Sequence, residues 1–141
     1  MGLTLFIDSS VILRRVLGQP DELTEWDAIA LAVANPLVEV ECLRTIDRLR
    51  HRGQLKDEEL VAAREITFAM LQSCEILELS NAILKRAGQT LPVPLKTLDA
   101  VHLATALTFR ELTGSAILMA THDRSLARAS RAMGLEVVGA A

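Results

Sequence analysis

Aromatic residues are scarce in this chain, which has three phenylalanines, one tryptophan and no tyrosine among its 141 residues. Leu, Ile, Val and Ala must therefore build the core, and binding of RNA by stacking bases on aromatic side chains is disfavoured. Positive charge is also limited, because the net charge is -3 whereas nucleic-acid-binding modules are usually basic. The composition argues against a high-affinity, sequence-reading module, and less strongly against a nuclease whose acidic site holds cations.

Cysteine and long apolar runs are equally sparse. The two cysteines, Cys42 and Cys74, form no CxxC pair, and a free thiol in a reducing compartment is the simplest interpretation. No stretch reaches the ~20 apolar residues of a membrane span, and the N-terminus lacks the basic segment of a signal peptide. We therefore expect a cytoplasmic protein without membrane contact, folded as a single domain over residues 1–141.

Short apolar segments alternate with helical patterns along the whole chain. This alternation predicts an α/β fold with three layers, in which a short, mostly parallel sheet is flanked by helices on both faces. The predicted strands are residues 3–7, 37–38, 75–79, 116–120 and 136–138. The predicted helices are residues 9–17, 22–33, 40–52, 57–72, 81–87, 97–112 and 124–133, with N-caps at Asp57, Ser80, Thr97 and Asp123 and a C-cap at Gly134.

Four acidic residues stand at or near the starts of predicted helices. Asp8 directly follows the first strand and Asp123 follows the fourth, so both belong at the carboxyl edge of the sheet. Asp99 lies in an almost wholly apolar helix, and Glu41 falls in the first turn of the helix that follows Pro36. Each acid taken alone is explained better as a helix cap or a solvated charge, but a carboxylate that leaves a buried segment needs a partner or a cation.

Carboxylates that share one crevice repel each other unless a cation binds between them. Oxygen ligands without clustered Cys or His favour Mg²⁺ or Mn²⁺ over zinc. The hydroxyls of Ser9, Ser10 and Thr121 accompany the acids, and either hold a water or phosphate oxygen at the site or cap the backbone locally.

Four segments together are similar to the PIN domain family, and within it to VapC toxins of type II toxin–antitoxin pairs. They are residues 5–13 (LFIDSSVIL), 37–44 (LVEVECLR), 98–106 (LDAVHLATA) and 121–127 (THDRSLA), the last followed by Gly134-Leu135. The resemblance places the family's four acidic ligands at Asp8, Glu41, Asp99 and Asp123, with Glu39 as an alternative to Glu41.

The resemblance implies a Mg²⁺- or Mn²⁺-dependent endoribonuclease that leaves a 5′-phosphate and a 3′-hydroxyl. It also implies a homodimer and a cognate VapB-like antitoxin that blocks the site. Arg44 and Arg48 share a helical stripe with Glu41 and are the candidates for binding RNA phosphates, although an ordinary surface ion pair explains them equally well. His102, three residues after Asp99, is interpreted as a core histidine in preference to a ligand or base.

Three alternatives remain open, the first of them within the resemblance itself. One is a PIN-domain RNA-processing nuclease outside a toxin–antitoxin system. A second is a phosphoryl-transfer domain with Asp8 as nucleophile, although the DxD motif is absent. The third is a non-catalytic RNA- or protein-binding domain, which would need none of the four acids.

Overall fold

The computed structural model describes residues 2–140, which form a central sheet flanked by helices. Its strands are β1 (Leu3–Ile7), β2 (Ile29–Ala34), β3 (Glu75–Ile76), β4 (Leu118–Ala120) and β5 (Val137–Val138). Its α-helices are α1 (Ser9–Val16), α2 (Pro36–His51), α3 (Asp57–Gln72), α4 (Asn81–Ala87), α5 (Thr97–Thr113) and α6 (Arg124–Ala132), and a short 3₁₀ turn covers Trp26–Ala28.

Every strand pair in the sheet is parallel, and the strand order is β3-β2-β1-β4-β5. The central strand β1 is bonded to β2 on one side and to β4 on the other, with Ile7 opposite Ala120. Helices α1, α2 and α3 pack together, and α5 packs against both α4 and α6. The predicted three-layer α/β/α fold is therefore confirmed.

The core is aliphatic, as the composition requires. Leu5 and Phe6 of β1, Val33 of β2 and Met119 of β4 have no exposed surface. Both cysteines are free thiols, with Cys42 buried in this core and Cys74 half-buried. Within residues 2–140, no helix combines the length and apolar character needed to cross a bilayer.

The helix predicted over residues 22–33 is wrong, because the segment contains the turn Trp26–Ala28 and the strand β2. Its small apolar residues (IALAVA) also suit a strand, and pairing with β1 and β3 on either side outweighs the helical pattern. Helices were correctly predicted in the other segments, with ends that differ by a few residues. The strands predicted at 75–79, 116–120 and 136–138 are shorter in the structure.

The strand predicted at residues 37–38 is also wrong, because α2 begins at Pro36. Asn35 is its N-cap, and the side-chain oxygen accepts hydrogen bonds from the backbone N–H of Leu37 (3.0 Å) and Val38 (3.2 Å). Proline is favoured at the first helical position. The Asn-Pro pair thus starts a helix four residues before the predicted start at residue 40.

Three of the predicted caps are displaced by one residue. Lys56 and Lys96 occupy the N-cap positions of α3 and α5, which makes Asp57 and Thr97 the first helical residues. At the end of α6 the C-cap is Met133, and Gly134 follows it with a φ of +85°. Ser80 and Asp123 are N-caps as predicted.

Replacing the buried cap of α2 should cost more stability than replacing an ordinary one. Asn35→Ala removes an acceptor of two backbone N–H groups and leaves the buried partners of its amide without a hydrogen bond. The free energy of unfolding should fall by about 3 kcal/mol. Ser80→Ala, which removes a single capping bond in α4, should cost about 1 kcal/mol. Urea denaturation of both variants measures the difference, and equal losses would contradict this account of Asn35.

Candidate active site

Three neighbouring strands each end in a buried polar residue at the same edge of the sheet. Asp8 follows β1, Asn35 follows β2 and Thr121 follows β4, and their exposed fractions are 3%, 0% and 0%. Because β1 lies between β2 and β4, the carboxylate of Asp8 stands between the other two side chains. The carboxyl edge of the sheet is the usual ligand-binding edge of such folds.

Hydroxyl groups fix the orientation of the Asp8 carboxylate. Its Oδ2 accepts hydrogen bonds from Ser10 Oγ (2.7 Å) and Thr121 Oγ1 (2.8 Å), whereas Oδ1 has only a long contact of 3.5 Å from Ser9 Oγ. Thr121 Oγ1 and Ser10 Oγ also accept from the backbone N–H of Asp123 and His122, both at 3.0 Å. The hydroxyls therefore orient Asp8 and leave its Oδ1 as the freer oxygen.

Glu41 reaches the same edge from α2, and His102 reaches it from α5. Each of three side chains offers one ligand atom, and these atoms lie within 4.8 Å of one another: Asp8, Glu41 and His102. The Nε2 of His102 is hydrogen-bonded to Oε1 of Glu41. His102 is fully buried, whereas the side chain of Glu41 is 20% exposed. Glu41 is the sixth residue of α2, so the prediction that it lies in the first turn of its helix is wrong.

The interpretation of His102 as a core histidine agrees with its burial and with its packing against Phe6, whose ring centroid is 5.6 Å away. That interpretation does not explain why the imidazole is hydrogen-bonded to a carboxylate of the site, Glu41. A histidine three residues after Asp99 lies on the same helical face, and this spacing is the sequence signal that connects it to the site.

Asp99 lies half-buried in the first turn of α5. Burial raises the pKa of its carboxyl group to about 6, and the negative charges of Asp8, Asp123 and Glu41 act in the same direction. Asp99 therefore lies in the field of the other three acids, although neither Asp99 nor Asp123 belongs to the group of Asp8, Glu41 and His102 that lies within ligand distance. Asp123 itself is exposed, and its Oδ1 caps α6 by accepting from the N–H of Leu126 (2.8 Å).

Cys42, next to Glu41 on α2, experiences the same negative field. Burial raises the pKa of its thiol to about 12, and Glu41, Asp8 and Glu39 contribute in that order. The thiol therefore stays protonated and is not a nucleophile. Glu39 lines a separate cavity with Asn35, Pro36 and Phe68, and is outside the group formed by Asp8, Glu41 and His102.

The two candidate RNA-binding arginines make local contacts on α2. Arg44 pairs with Asp47 at 3.2 Å and its side chain is 68% exposed. Arg48 donates to Thr45 Oγ1 at 3.1 Å. Such exposed contacts are weak and easily exchanged, so the role of these arginines in RNA binding stays a prediction.

Sequence reasoning missed Asn35, which connects α2 to the buried part of the site. Its Nδ2 contacts Thr105 Oγ1 at 2.9 Å and His102 Nδ1 at 3.1 Å. The signal was available in the pair Asn35-Pro36, since an Asn before a Pro is typical of a helix start as well as of a turn.

A match to the PIN domain family model spans residues 5–132 of the chain. The chain belongs to the PIN domain family. Relatives cover it almost from end to end. Ribonuclease VapC46 of Mycobacterium tuberculosis is 28% identical over 95% of each chain, and Ribonuclease VapC35 of the same species is 29% identical over 95% of each.

Solved structures show the same fold. A chain from a toxin–antitoxin complex of Klebsiella pneumoniae superposes with a TM-score of 0.62 and 18% identity, covering 98% of this PIN domain and 95% of that chain. PAE2754 from Pyrobaculum aerophilum gives a TM-score of 0.59 at 16% identity, with coverages of 97% and 92%. At these identities the likeness supports the fold, in agreement with the three-layer architecture.

Asp99 should make the metal-free protein less stable as the pH rises. Its carboxyl has a pKa of about 6 in the folded chain and an ordinary value of 3.8, so the folded state binds this proton more tightly. The stabilising contribution is complete below the ordinary value and is lost as the pH rises through 6. Solvent screening of this half-exposed group reduces the effect to about 1 kcal/mol.

Urea denaturation in EDTA at pH 5 and pH 7.5 measures this contribution. Asp99→Asn should lose stability less steeply between the two pH values than the unchanged chain. Asp27→Asn, an exposed change in the turn before β2 at the opposite edge of the sheet, should keep the original dependence. The same dependence in both variants would show that Asp99 has no raised pKa.

Proposed function

We propose that this PIN domain is a metal-dependent endoribonuclease of the VapC type, the toxin of a type II toxin–antitoxin pair. The observation that carries the proposal is the convergence of carboxylates at the carboxyl edge of the sheet, where Asp8 and Glu41 lie within ligand distance of each other and Asp99 lies in their field. The names of the VapC relatives support hydrolysis of RNA.

The residues at this edge fit a divalent cation. Asp8 and Glu41 offer oxygens within ligand distance of each other, and Asp99 adds a carboxylate in their field; such oxygen donors suit Mg²⁺ or Mn²⁺. Within residues 2–140, the lysine and arginine ion pairs that the structure shows do not involve these acids. They involve Glu22, Asp47 and Glu111. A buried carboxylate such as Asp8 needs compensation of its charge, and a cation provides it.

Each acid has a distinct part in the proposed reaction. Asp8, held by hydroxyls through Oδ2, offers Oδ1 as the most rigid ligand, and Asp99 offers the second. Glu41 acts as a ligand or orients the attacking water, and Asp123 contributes directly or through water. A bound Mg²⁺ or Mn²⁺ neutralises charge on the phosphate and lowers the pKa of the attacking water. The N-termini of α1 and α6, beside Asp8 and Asp123, favour the anionic phosphate.

The nuclease is tested with pure protein and mixed cellular RNA in Mg²⁺, Mn²⁺ or EDTA. Cleavage should require the cation, and Asp8→Asn should lower its rate at least about 100-fold because the rigid ligand is lost. Asp27→Asn, at the opposite edge of the sheet, should cleave normally. RNA binding that persists in EDTA without any cleavage would favour the non-catalytic binding domain instead.

Arg44 and Arg48 are proposed to hold RNA phosphates that flank the scissile bond. Replacing both with Ala should raise KM several-fold with little change in kcat, and should reduce the salt dependence of RNA binding. The matched control is Arg64→Ala on α3, where the guanidinium packs over Phe68. Equal effects on KM in the two proteins would show that Arg44 and Arg48 act only through the overall surface charge and do not contact RNA specifically.

A protein partner and self-association are part of the proposal. The relatives' VapC names and the Klebsiella complex support a VapB-like antitoxin as the partner. The described surface also exposes several large apolar side chains, which are candidates for burial in such interfaces: Val40, Val61, Ile66, Phe68 and Leu84. Analytical ultracentrifugation should show a homodimer, and a monomer at micromolar concentration would contradict that assignment.

A further inference from the structure

The side-chain amide of Asn35 has only one orientation that satisfies all its neighbours. Its Oδ1 accepts from the backbone N–H groups of Leu37 and Val38, which can only donate. The N–H of Val38 is shared with the backbone carbonyl of Asn35 (3.1 Å). Its Nδ2 must therefore face α5. There Thr105 Oγ1 donates to the carbonyl of Val101 (2.7 Å) and accepts one amide hydrogen at 2.9 Å. An exchanged amide would place donors against donors at α2.

This orientation fixes the proton on the histidine. The second amide hydrogen of Asn35 points at His102 Nδ1, 3.1 Å away, so Nδ1 acts as an acceptor and carries no proton. In a neutral imidazole the proton is then on Nε2. Nε2 faces Oε1 of Glu41, and a donor meets an acceptor at each end of the ring.

We infer that His102 is a positioning residue that donates from Nε2 to Glu41 and does not ligate metal. A metal-bound histidine nitrogen has no proton, and Asn35 keeps that proton on Nε2. The hydrogen bond occupies Oε1 of Glu41 and fixes the side chain, which leaves Oε2 for the site shared with Asp8. The ligand set is then oxygen alone, although His102 lies within ligand distance of both acids.

All the groups that set this arrangement are rigidly held. Asn35, His102 and Thr105 have no exposed surface, and the ring of Phe6 packs against the imidazole. The chain of bonds runs from the backbone of α2 through Asn35 and His102 back to Glu41 on the same helix. The helix cap and the orientation of a site carboxylate are therefore one connected network.

The proton position is measured by multiple-bond ¹H–¹⁵N NMR of the metal-free protein labelled in histidine. His102 is assigned by the signal that disappears in His102→Gln, which separates it from His51 and His122. We expect a protonated Nε2 and a bare Nδ1, and we expect the same pattern after addition of Mg²⁺. A proton on Nδ1, or loss of the Nε2 proton when Mg²⁺ is added, would overturn the inference.

Two substitutions separate positioning from packing. Gln at position 102 can place an amide N–H where Nε2 stands, so His102→Gln should keep kcat for RNA within about threefold. Asn keeps an acceptor for Asn35 but is too short to reach Glu41, so His102→Asn should lower kcat about 10- to 100-fold with little change in KM, as loss of a residue that orients a ligand does. Equal kcat values in the two variants would assign His102 to packing.

The kinetic part rests on the proposed function, whereas the NMR part does not. A wild-type protein that cuts no RNA but has the proton on Nε2 would refute the nuclease and leave the hydrogen-bond direction standing. A wild-type protein that cuts RNA but has the proton on Nδ1 would support the nuclease and refute the direction of the hydrogen bond.

Discussion

The concentration of negative charge at the carboxyl edge of the sheet is the constraint on which the rest of the structure depends. Asp8 is almost fully buried there, and Asp99 has its pKa raised by burial and by the neighbouring acids. Carboxylates packed in this way destabilise a metal-free fold. The hydroxyls of Ser10 and Thr121 compensate part of the cost by donating to Asp8, and a bound cation would compensate the remainder.

The parallel sheet explains why distant residues meet at this edge. Asp8 and Thr121 are more than a hundred residues apart in the chain, and they touch because β1 and β4 are paired and end together. The alternation of apolar strands and helices predicted that geometry from the sequence alone. What it did not predict was β2. Its segment carries a pattern compatible with helix, and only its two strand neighbours decide the outcome.

The candidate site was predictable to a similar extent. The position of Asp8 after a buried strand marks it out locally, and the resemblance to PIN domains supplies Glu41, Asp99 and Asp123. The roles of Asn35 and His102 were not predictable, because they depend on which side-chain atom faces which neighbour across α2 and α5. Spacing along one helix cannot supply that information. An Asn-Pro pair and an isolated histidine each have common structural explanations that involve no site.

The acidic composition, at first an argument against RNA as a partner, is consistent with this arrangement. Affinity for a polyanion depends on the charge at the contact surface and not on the total. Here the acids are gathered where a divalent cation would offset much of their charge, and helix N-termini beside Asp8 and Asp123 add partial positive charge. Contact with phosphate would then depend on the metal. Under the proposed function, the cation would draw the phosphate to the acids, and Arg44 and Arg48 would hold the flanking phosphates.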